Sequence, residues 1–188
     1  AQYQTAMSFG FLGKNQEKIS NHQAVENQYE NSQLKDDALF QLAGTYTAMG
    51  SEDKAQATYD RILKKYPKSS YTPNILLRQG LLFYNNNANT KALQKFKSVV
   101  AKFPNSNEAK QAVSSVKNEY IDIGEVAAYA EWVKNVKFVN VSYAELDNAT
   151  YESAENKFLE NNTKKAIQGF TKYVKRFPEG LHSLKANF

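Results

Sequence analysis

The side chains that could carry acid–base or metal chemistry are few in this chain and far apart. Its only histidines, His22 and His182, stand near opposite ends of the sequence, and a metal site or a Ser-His-Asp triad would need companions beside them. There is no cysteine, which excludes disulfides, thiolate zinc sites and a cysteine nucleophile within these residues. The acidic pair Asp36–Asp37 falls at a predicted helix start, where carboxylates stabilise the positive end of the helix dipole. We therefore expect no enzyme active site, no metal and no cofactor.

The composition favours helices as the elements that position these side chains. Of the 188 residues, 41% are hydrophobic and 13% aromatic, which excludes a disordered chain. With 8 Gly and 4 Pro, turns are too few for a β-sandwich. No phosphate-binding glycine motif occurs, and no apolar run is long enough to cross a bilayer. The net charge of +5 comes from scattered lysines, as expected for solvated helix faces rather than a nucleic-acid patch.

An aromatic residue followed by proline recurs at a fixed spacing. The pairs are Tyr66–Pro67, Phe103–Pro104 and Phe177–Pro178. The first two prolines differ by 104 − 67 = 37, and the last two by 178 − 104 = 74, which is twice that step. One degenerate copy therefore lies between them, and five copies of 37 account for 185 of the 188 residues. This period is typical of a helical repeat array.

Glycine or asparagine recurs at the predicted turns with the same spacing of 37 residues. Both residues tolerate the left-handed conformation that a helix end often needs. We predict that each turn joins two helices of one repeat and that it lies at Gly13, Gly50, Asn87, Gly124 and Asn161.

The hydrophobic residues between these turns have helical spacing. Leu39, Leu42, Ala43 and Tyr46 lie on one face of a helix, and Pro67 ends the helix that follows. We expect Thr72 to be an N-cap before Pro73, and Ser142 to Glu145 to form a capping box. The predicted helices are 2–12, 15–29, 36–49, 52–66, 73–86, 90–103, 107–122, 125–136, 142–160 and 163–177.

These residues resemble the tetratricopeptide repeat. The match in the second copy is carried by Leu39, Leu42, Ala43, Tyr46, Ala55, Tyr59, Ile62 and Pro67, and in the third by Leu76, Gly80, Phe83, Ala92, Phe96, Val99 and Pro104. The repeat here has three residues more than the usual unit, around the linker 66–71. In this it resembles the repeats of Gram-negative envelope proteins of the YbgF and BamD type.

The resemblance implies an all-α fold, a right-handed α-solenoid of helix-turn-helix repeats. We predict a single array over 1–188, with repeats at about 1–32, 33–69, 70–106, 107–143 and 144–180 and the start of a further, truncated helix at 181–188. The fourth copy is degenerate, and we expect a bend near its apolar run 136–139. The first copy has His22 in the aromatic position, which we predict to be a packed core histidine.

In such repeats the first helix of each pair lines a concave groove that binds a partner. An apolar, aromatic groove suits an extended peptide or an amphipathic helix. The predicted groove residues are Tyr3, Met7, Phe40, Thr47, Leu77, Leu81, Tyr84, Asn118, Tyr151, Glu155 and Phe158.

We therefore expect a non-catalytic protein that binds a protein or peptide. RNA-binding solenoids use polar side chains at fixed repeat positions. The corresponding positions of this chain are mostly apolar or aromatic, namely Tyr3, Phe40, Leu77, Ser114 and Tyr151, so no nucleic acid is expected. The linker resemblance favours the periplasm or outer membrane. The alternatives are a cytoplasmic scaffold or co-chaperone and the regulatory arm of a larger enzyme, and self-association is also possible.

Overall fold

Helices joined by short turns make up the chain throughout residues 1–28 and 34–187, which the computed structural model describes. Within these ranges they are α1 (Gln2–Phe11), α2 (Asn15–Gln28), α3 (Lys35–Ala48), α4 (Glu52–Lys65), α5 (Thr72–Asn85), α6 (Asn89–Lys102), α7 (Asn107–Ile123), α8 (Val126–Val133), α9 (Tyr143–Leu159), α10 (Thr163–Arg176) and α11 (Ser183–Asn187). Successive helices pack in pairs, α1 with α2, α3 with α4 and α9 with α10. The predicted all-α class is confirmed.

The turn inside each pair has the same geometry in all five copies. Gly13, Gly50 and Gly124 have φ of 70°, 69° and 84°, and Asn87 and Asn161 have φ of 54° and 59°. After Gly50, the N–H of Ser51 donates to the carbonyl of Tyr46 at 2.8 Å, a bond that recurs after the other four turn residues. This is the Schellman closure, which satisfies carbonyl groups that the helix end leaves free. The predicted turn positions are confirmed.

The residues divide into two compact units, 1–95 and 96–188, and the boundary falls within α6. The core of the N-terminal unit contains the predicted stripe of α3 and its counterpart on α4. Leu39, Leu42, Tyr59 and Ile62 are fully buried, and Tyr46 packs against them. The prediction of a single array over 1–188 stays a prediction.

The C-terminal unit has aromatic side chains at its centre. Tyr151, Tyr173 and Phe177 form one buried cluster. Helices α9 and α10 approach closely at Gly169, where an added Cβ would lie 2.7 Å from the Cβ of Ala154. A small residue is therefore required on each side of this crossing.

Helix ends agree with the prediction to within one residue, with one exception. Helix α8 ends at Val133, three residues earlier than predicted, and turns follow it, as expected for the run 136–139. The predicted last residue of α2, 29, and the first repeat boundary lie outside the described residues.

Of the two predicted caps, one is confirmed and one is wrong. The N–H of Ser142 donates to Glu145 at 2.8 Å and the N–H of Glu145 donates to Ser142 Oγ at 3.2 Å, which completes the capping box. Thr72 is not an N-cap, since it is already the first helical residue and Tyr71 precedes it. The Thr72 hydroxyl instead donates to the carbonyl of Ser69 at 2.8 Å, which uses it in the preceding turn.

Candidate functional site

In the N-terminal unit, the predicted groove residues lie on the first helices α1, α3 and α5. Most are partly buried: Tyr3, Met7, Phe40, Thr47 and Tyr84. Leu77 is buried at 5% exposure, whereas Leu81, one helical turn later on α5, is 42% exposed. Residues four apart share a helix face, so Leu77 belongs to the base of this surface and Leu81 to its solvent side.

Phe40 is the predicted groove residue with the most clearly defined surroundings. Its ring stacks on Tyr71 with centroids 4.3 Å apart and planes 15° apart. The guanidinium of Arg78 lies 5.3 Å from the Phe40 centroid. Tyr71 is itself fixed, because its hydroxyl donates to Asp37 at 2.9 Å, and burial, followed by this bond, raises the pKa of Tyr71 to about 12. The stack thus places Phe40 of α3 against Tyr71, the residue that precedes α5.

In the C-terminal unit, the predicted groove residues Asn118, Tyr151, Glu155 and Phe158 differ widely in exposure. Asn118 is exposed. Tyr151 is buried at 8% and its hydroxyl donates to Glu155 at 3.1 Å; burial raises its pKa, and the hydrogen bond to Glu155 adds to the shift. Phe158 is 61% exposed. Tyr151 therefore packs in the interior of the unit, while Phe158 faces solvent.

The Phe40 arrangement has a counterpart at Tyr151. The ring of His182 stacks on Tyr151 at 4.2 Å and 19°, and His182 Nε2 lies 2.7 Å from Asn148 Oδ1.

This counterpart follows the repeat register. The second-repeat residues Phe40, Tyr71 and Asp37 correspond to Tyr151, His182 and Asn148 in the fifth repeat. Tyr71 and His182 were not among the predicted site residues. Their signal was the register itself, since each follows a predicted groove aromatic by the same step along the chain.

An apolar cavity of about 570 Å³ opens beside Phe158 in the C-terminal unit. Helices α9, α10 and α11 all contribute to its wall. The apolar lining residues are Phe158, Ala166, Ile167, Phe170, Val174 and Ala186. Its size falls within the range of small-ligand and side-chain pockets, and its lining suits an apolar side chain of a partner.

The side chains considered for chemistry lie apart and take structural roles. His22 is fully buried, as predicted; it meets Tyr3 edge-on at 5.5 Å, and burial lowers its pKa to about 4. His182 belongs to the stack on Tyr151. Asp36 accepts from Ser69 at 2.7 Å. Over the described ranges, no three His, Asp or Glu side chains come together to hold a metal, and no helix there has the length and hydrophobicity to cross a membrane.

Two segments of the chain match the family model of the tetratricopeptide repeat, residues 37–69 and 75–106. They correspond to the second and third predicted repeats. No curated protein matches the chain.

Several solved structures share its fold. A tetratricopeptide repeat protein from Parabacteroides merdae aligns with a TM-score of 0.64 at 14% identity, over 98% of this chain and 69% of that one. MamA (AMB-1) aligns with a TM-score of 0.55 at 12% identity, over 98% of this chain and 94% of that one. A kinesin light chain from Podospora anserina with nearly identical tetratricopeptide-like repeats aligns with a TM-score of 0.55 at 13% identity, over 94% of this chain and 92% of that one. At these identities the likeness shows the fold, that of tetratricopeptide repeat proteins, along nearly the whole chain.

Proposed function

We propose that this protein is a non-catalytic scaffold that binds a partner protein or peptide through its first helices. Tetratricopeptide repeats generally mediate protein–protein interaction, and two segments of the chain match that repeat. The observation that carries the proposal is the exposure of large apolar side chains at predicted groove positions. Leu81 and Phe158, one in each unit, are 42% and 61% exposed. Phe158 also borders the apolar cavity formed by α9, α10 and α11, and a contiguous apolar surface of this kind is available to a partner.

The mode of binding follows from the spacing of these side chains. On α5, Leu77, Leu81 and Tyr84 recur at i, i+4 and i+7, which places them on one face of the helix. An apolar face of this kind can pack against an amphipathic helix or an extended peptide. Phe40 is already held by Tyr71. A surface whose side chains are fixed before binding loses little conformational entropy when the partner arrives.

Replacement of Phe158 by Ser provides the test, with Leu159→Ser as the matched control. Leu159 is the next residue on α9 and is 69% exposed, but it does not line the apolar cavity. Peptides selected from a phage-displayed random library on the wild-type protein would be measured by calorimetry against both variants. We expect Phe158→Ser to weaken binding by about tenfold or more, as for a buried aromatic anchor, and Leu159→Ser to change it little.

Equal binding by the wild-type protein and Phe158→Ser would place the peptide elsewhere and contradict the role of this surface. Light scattering at the assay concentrations would separate partner binding from self-association through exposed side chains such as Ile167, which is 61% exposed.

We also propose the bacterial cell envelope as the location of this scaffold, with the cytoplasm as the alternative. The support is the linker Tyr66-Pro67-Lys68-Ser69-Ser70-Tyr71, which resembles that of envelope repeat proteins. Fractionation of the native cells with an antibody to this chain is the test. Recovery with the cytoplasmic fraction would reject the envelope.

A further inference from the structure

Helices α4 and α10 occupy the same position in the second and fifth repeats. Helix α4 spans Glu52–Lys65 and α10 spans Thr163–Arg176, so every residue of one has a counterpart in the other. Both end in cations on the same face. Arg61 and Lys65 of α4 correspond to Lys172 and Arg176 of α10.

In the N-terminal unit, the two cations share one buried carboxylate. Arg61 Nη1 lies 3.1 Å from Glu26 Oε2, and Lys65 Nζ lies 3.3 Å from Glu26 Oε1. The Glu26 side chain, in the last turn of α2, is only 6% exposed. A carboxylate so buried needs a cationic partner, because an unpaired buried charge is strongly destabilising.

The C-terminal unit lacks this carboxylate. Helix α8 begins in the fourth repeat at the position where α2 begins in the first, but it ends at Val133 after 8 residues, whereas α2 continues for 14. The counterpart of Glu26 is Lys137, which lies in the turns after α8. The helical turn that carries Glu26 in the N-terminal unit therefore has no counterpart in the C-terminal unit. The residue at the same repeat position, Lys137, has the opposite charge.

A cavity of about 400 Å³ lies beside Lys172 and Arg176. Its wall is formed by the α7–α8 turn, α9 and α10, and four cations line it: Lys157, Lys165, Lys172 and Arg176. Lys157 pairs with Glu160 at 2.9 Å. Among the described residues, no carboxylate lies within 4.0 Å of the charged groups of Lys165, Lys172 or Arg176. Glu125, at the start of α8, is the one acidic residue in this lining. The cavity therefore carries an excess of positive charge.

We propose that this cavity binds an acidic side chain of a partner polypeptide, whose carboxylate takes between Lys172 and Arg176 the place that Glu26 takes between Arg61 and Lys65. A carboxylate is favoured over other anions because the chain itself pairs this spacing of cations with one, at Glu26. A polypeptide is favoured over a membrane because the exposed cations Lys172 and Arg176 border a cavity whose lining also includes apolar residues such as Val126, so that a side chain can enter it beside them. This surface differs from the first-helix surface and adds a second point of attachment.

Fluorescence anisotropy with a fluorescein-labelled, glutamate-rich peptide tests the proposal. The reference peptide has Gln in place of every Glu. We expect the wild-type protein to bind the acidic peptide and not the reference, with an affinity that falls as salt is added. Lys172→Gln/Arg176→Gln should weaken binding by about tenfold or more.

Lys164→Gln/Lys175→Gln is the matched control. It removes the same charge from the same helix, at positions that do not line the cavity beside Lys172 and Arg176. It should change binding of the peptide by less than about twofold. Phe158→Ser should bind the acidic peptide like the wild-type protein, which keeps this test separate from that of the first-helix surface. Circular dichroism and urea unfolding would establish that the variants are folded.

Three outcomes would overturn the proposal. The first is equal binding by the Lys172→Gln/Arg176→Gln variant. The second is an equal loss in both double variants, which would reflect overall charge. The third is binding to phosphatidylglycerol vesicles, dependent on Lys172 and Arg176, without binding to the peptide. As a second readout, the peptide should shift the amide resonances of Val126 and Ala127, which line the cavity; unshifted resonances would also reject the site.

Discussion

The ring of His182 lies flat on the ring of Tyr151, with centroids 4.2 Å apart, and this stack attaches the start of α11 to α9. The Nε2 atom of His182 adds a hydrogen bond to Asn148 at 2.7 Å. The two contacts can be separated by substitution. His182→Phe keeps a ring for stacking and loses the hydrogen bond, whereas His182→Ala loses both.

We expect His182→Phe to lower the free energy of unfolding by about 1 kcal/mol and His182→Ala by about 1–3 kcal/mol. Urea unfolding measures both values. Amide exchange in 183–187 should accelerate more in His182→Ala than in His182→Phe. Identical values for the two variants would mean that the stack contributes nothing.

Replacement of His22 by Phe should stabilise the protein and remove a pH dependence. Both ring nitrogens of His22 are buried without a hydrogen-bond partner, and the same position holds Tyr59, Phe96 and Phe170 in other copies. We expect His22→Phe to raise the free energy of unfolding by about 1–3 kcal/mol near neutral pH.

The sign of the pH effect follows from the lowered pKa of His22. Burial brings this pKa from 6.5 to about 4, so the unfolded chain takes up a proton before the folded chain does. The stability associated with neutral His22 is present above pH 6.5 and is lost as the pH falls towards 4. Between pH 7.5 and 5 the wild-type protein should lose about 2 kcal/mol relative to His22→Phe. If the free energies of unfolding of the wild-type protein and His22→Phe changed in parallel with pH, this assignment would be contradicted.

Glu119 should give the opposite pH dependence. Its side chain is buried on α7, with Oε2 lacking a hydrogen-bond partner. Burial, and then the charge of Asp122, raise its pKa to about 7. The folded protein therefore retains a proton that the unfolded chain loses above about 4.5, and stability is lost as the pH rises from 4.5 to 7.

Glu119→Gln keeps the shape of this side chain and cannot ionise. We expect the wild-type protein to lose about 3 kcal/mol relative to Glu119→Gln between pH 4.5 and 8. Urea unfolding across this range would measure the difference. A constant difference between the two proteins would show that Glu119 does not titrate on unfolding.

Two Gly→Ala substitutions should change the stability of the folded protein in opposite directions. At Gly169 the new Cβ would lie 2.7 Å from the Cβ of Ala154, and α9 and α10 would have to separate, at a cost of about 1–3 kcal/mol. At Gly44, inside α3, nothing lies within 4 Å of the new Cβ, and alanine should stabilise the helix by about 0.5–1 kcal/mol. Thermal unfolding followed by circular dichroism compares the two, and changes of the same sign would contradict the packing argument.

Much of the fold could be predicted from the sequence because local and periodic signals agreed. A glycine or asparagine at the end of a periodic helical stripe identifies its turn without knowledge of the neighbours, as Gly50 and Asn161 show. Helix α8 is the exception. Its stripe continues to Val136, which is buried at 7% although it lies beyond the helix, between two turns, so hydrophobicity alone could not show where this helix ends.

Less of the candidate site could be predicted. The register identified Leu81 and Phe158 as groove positions, but the same register included Tyr151, which is buried beneath His182. The ring that covers a groove position comes from the start of the next repeat, as Tyr71 stacks on Phe40 and His182 stacks on Tyr151. A pattern within one repeat does not contain that information.

Each turn inside a helix pair closes its own hydrogen bonds over a few residues, as at Gly50, where Ser51 donates to Tyr46. A repeat can therefore be gained or lost by duplication or deletion of its gene segment without leaving unpaired backbone groups in the repeats that remain. The length of such a chain can change during evolution by whole repeats, while selection on the turns themselves stays the same.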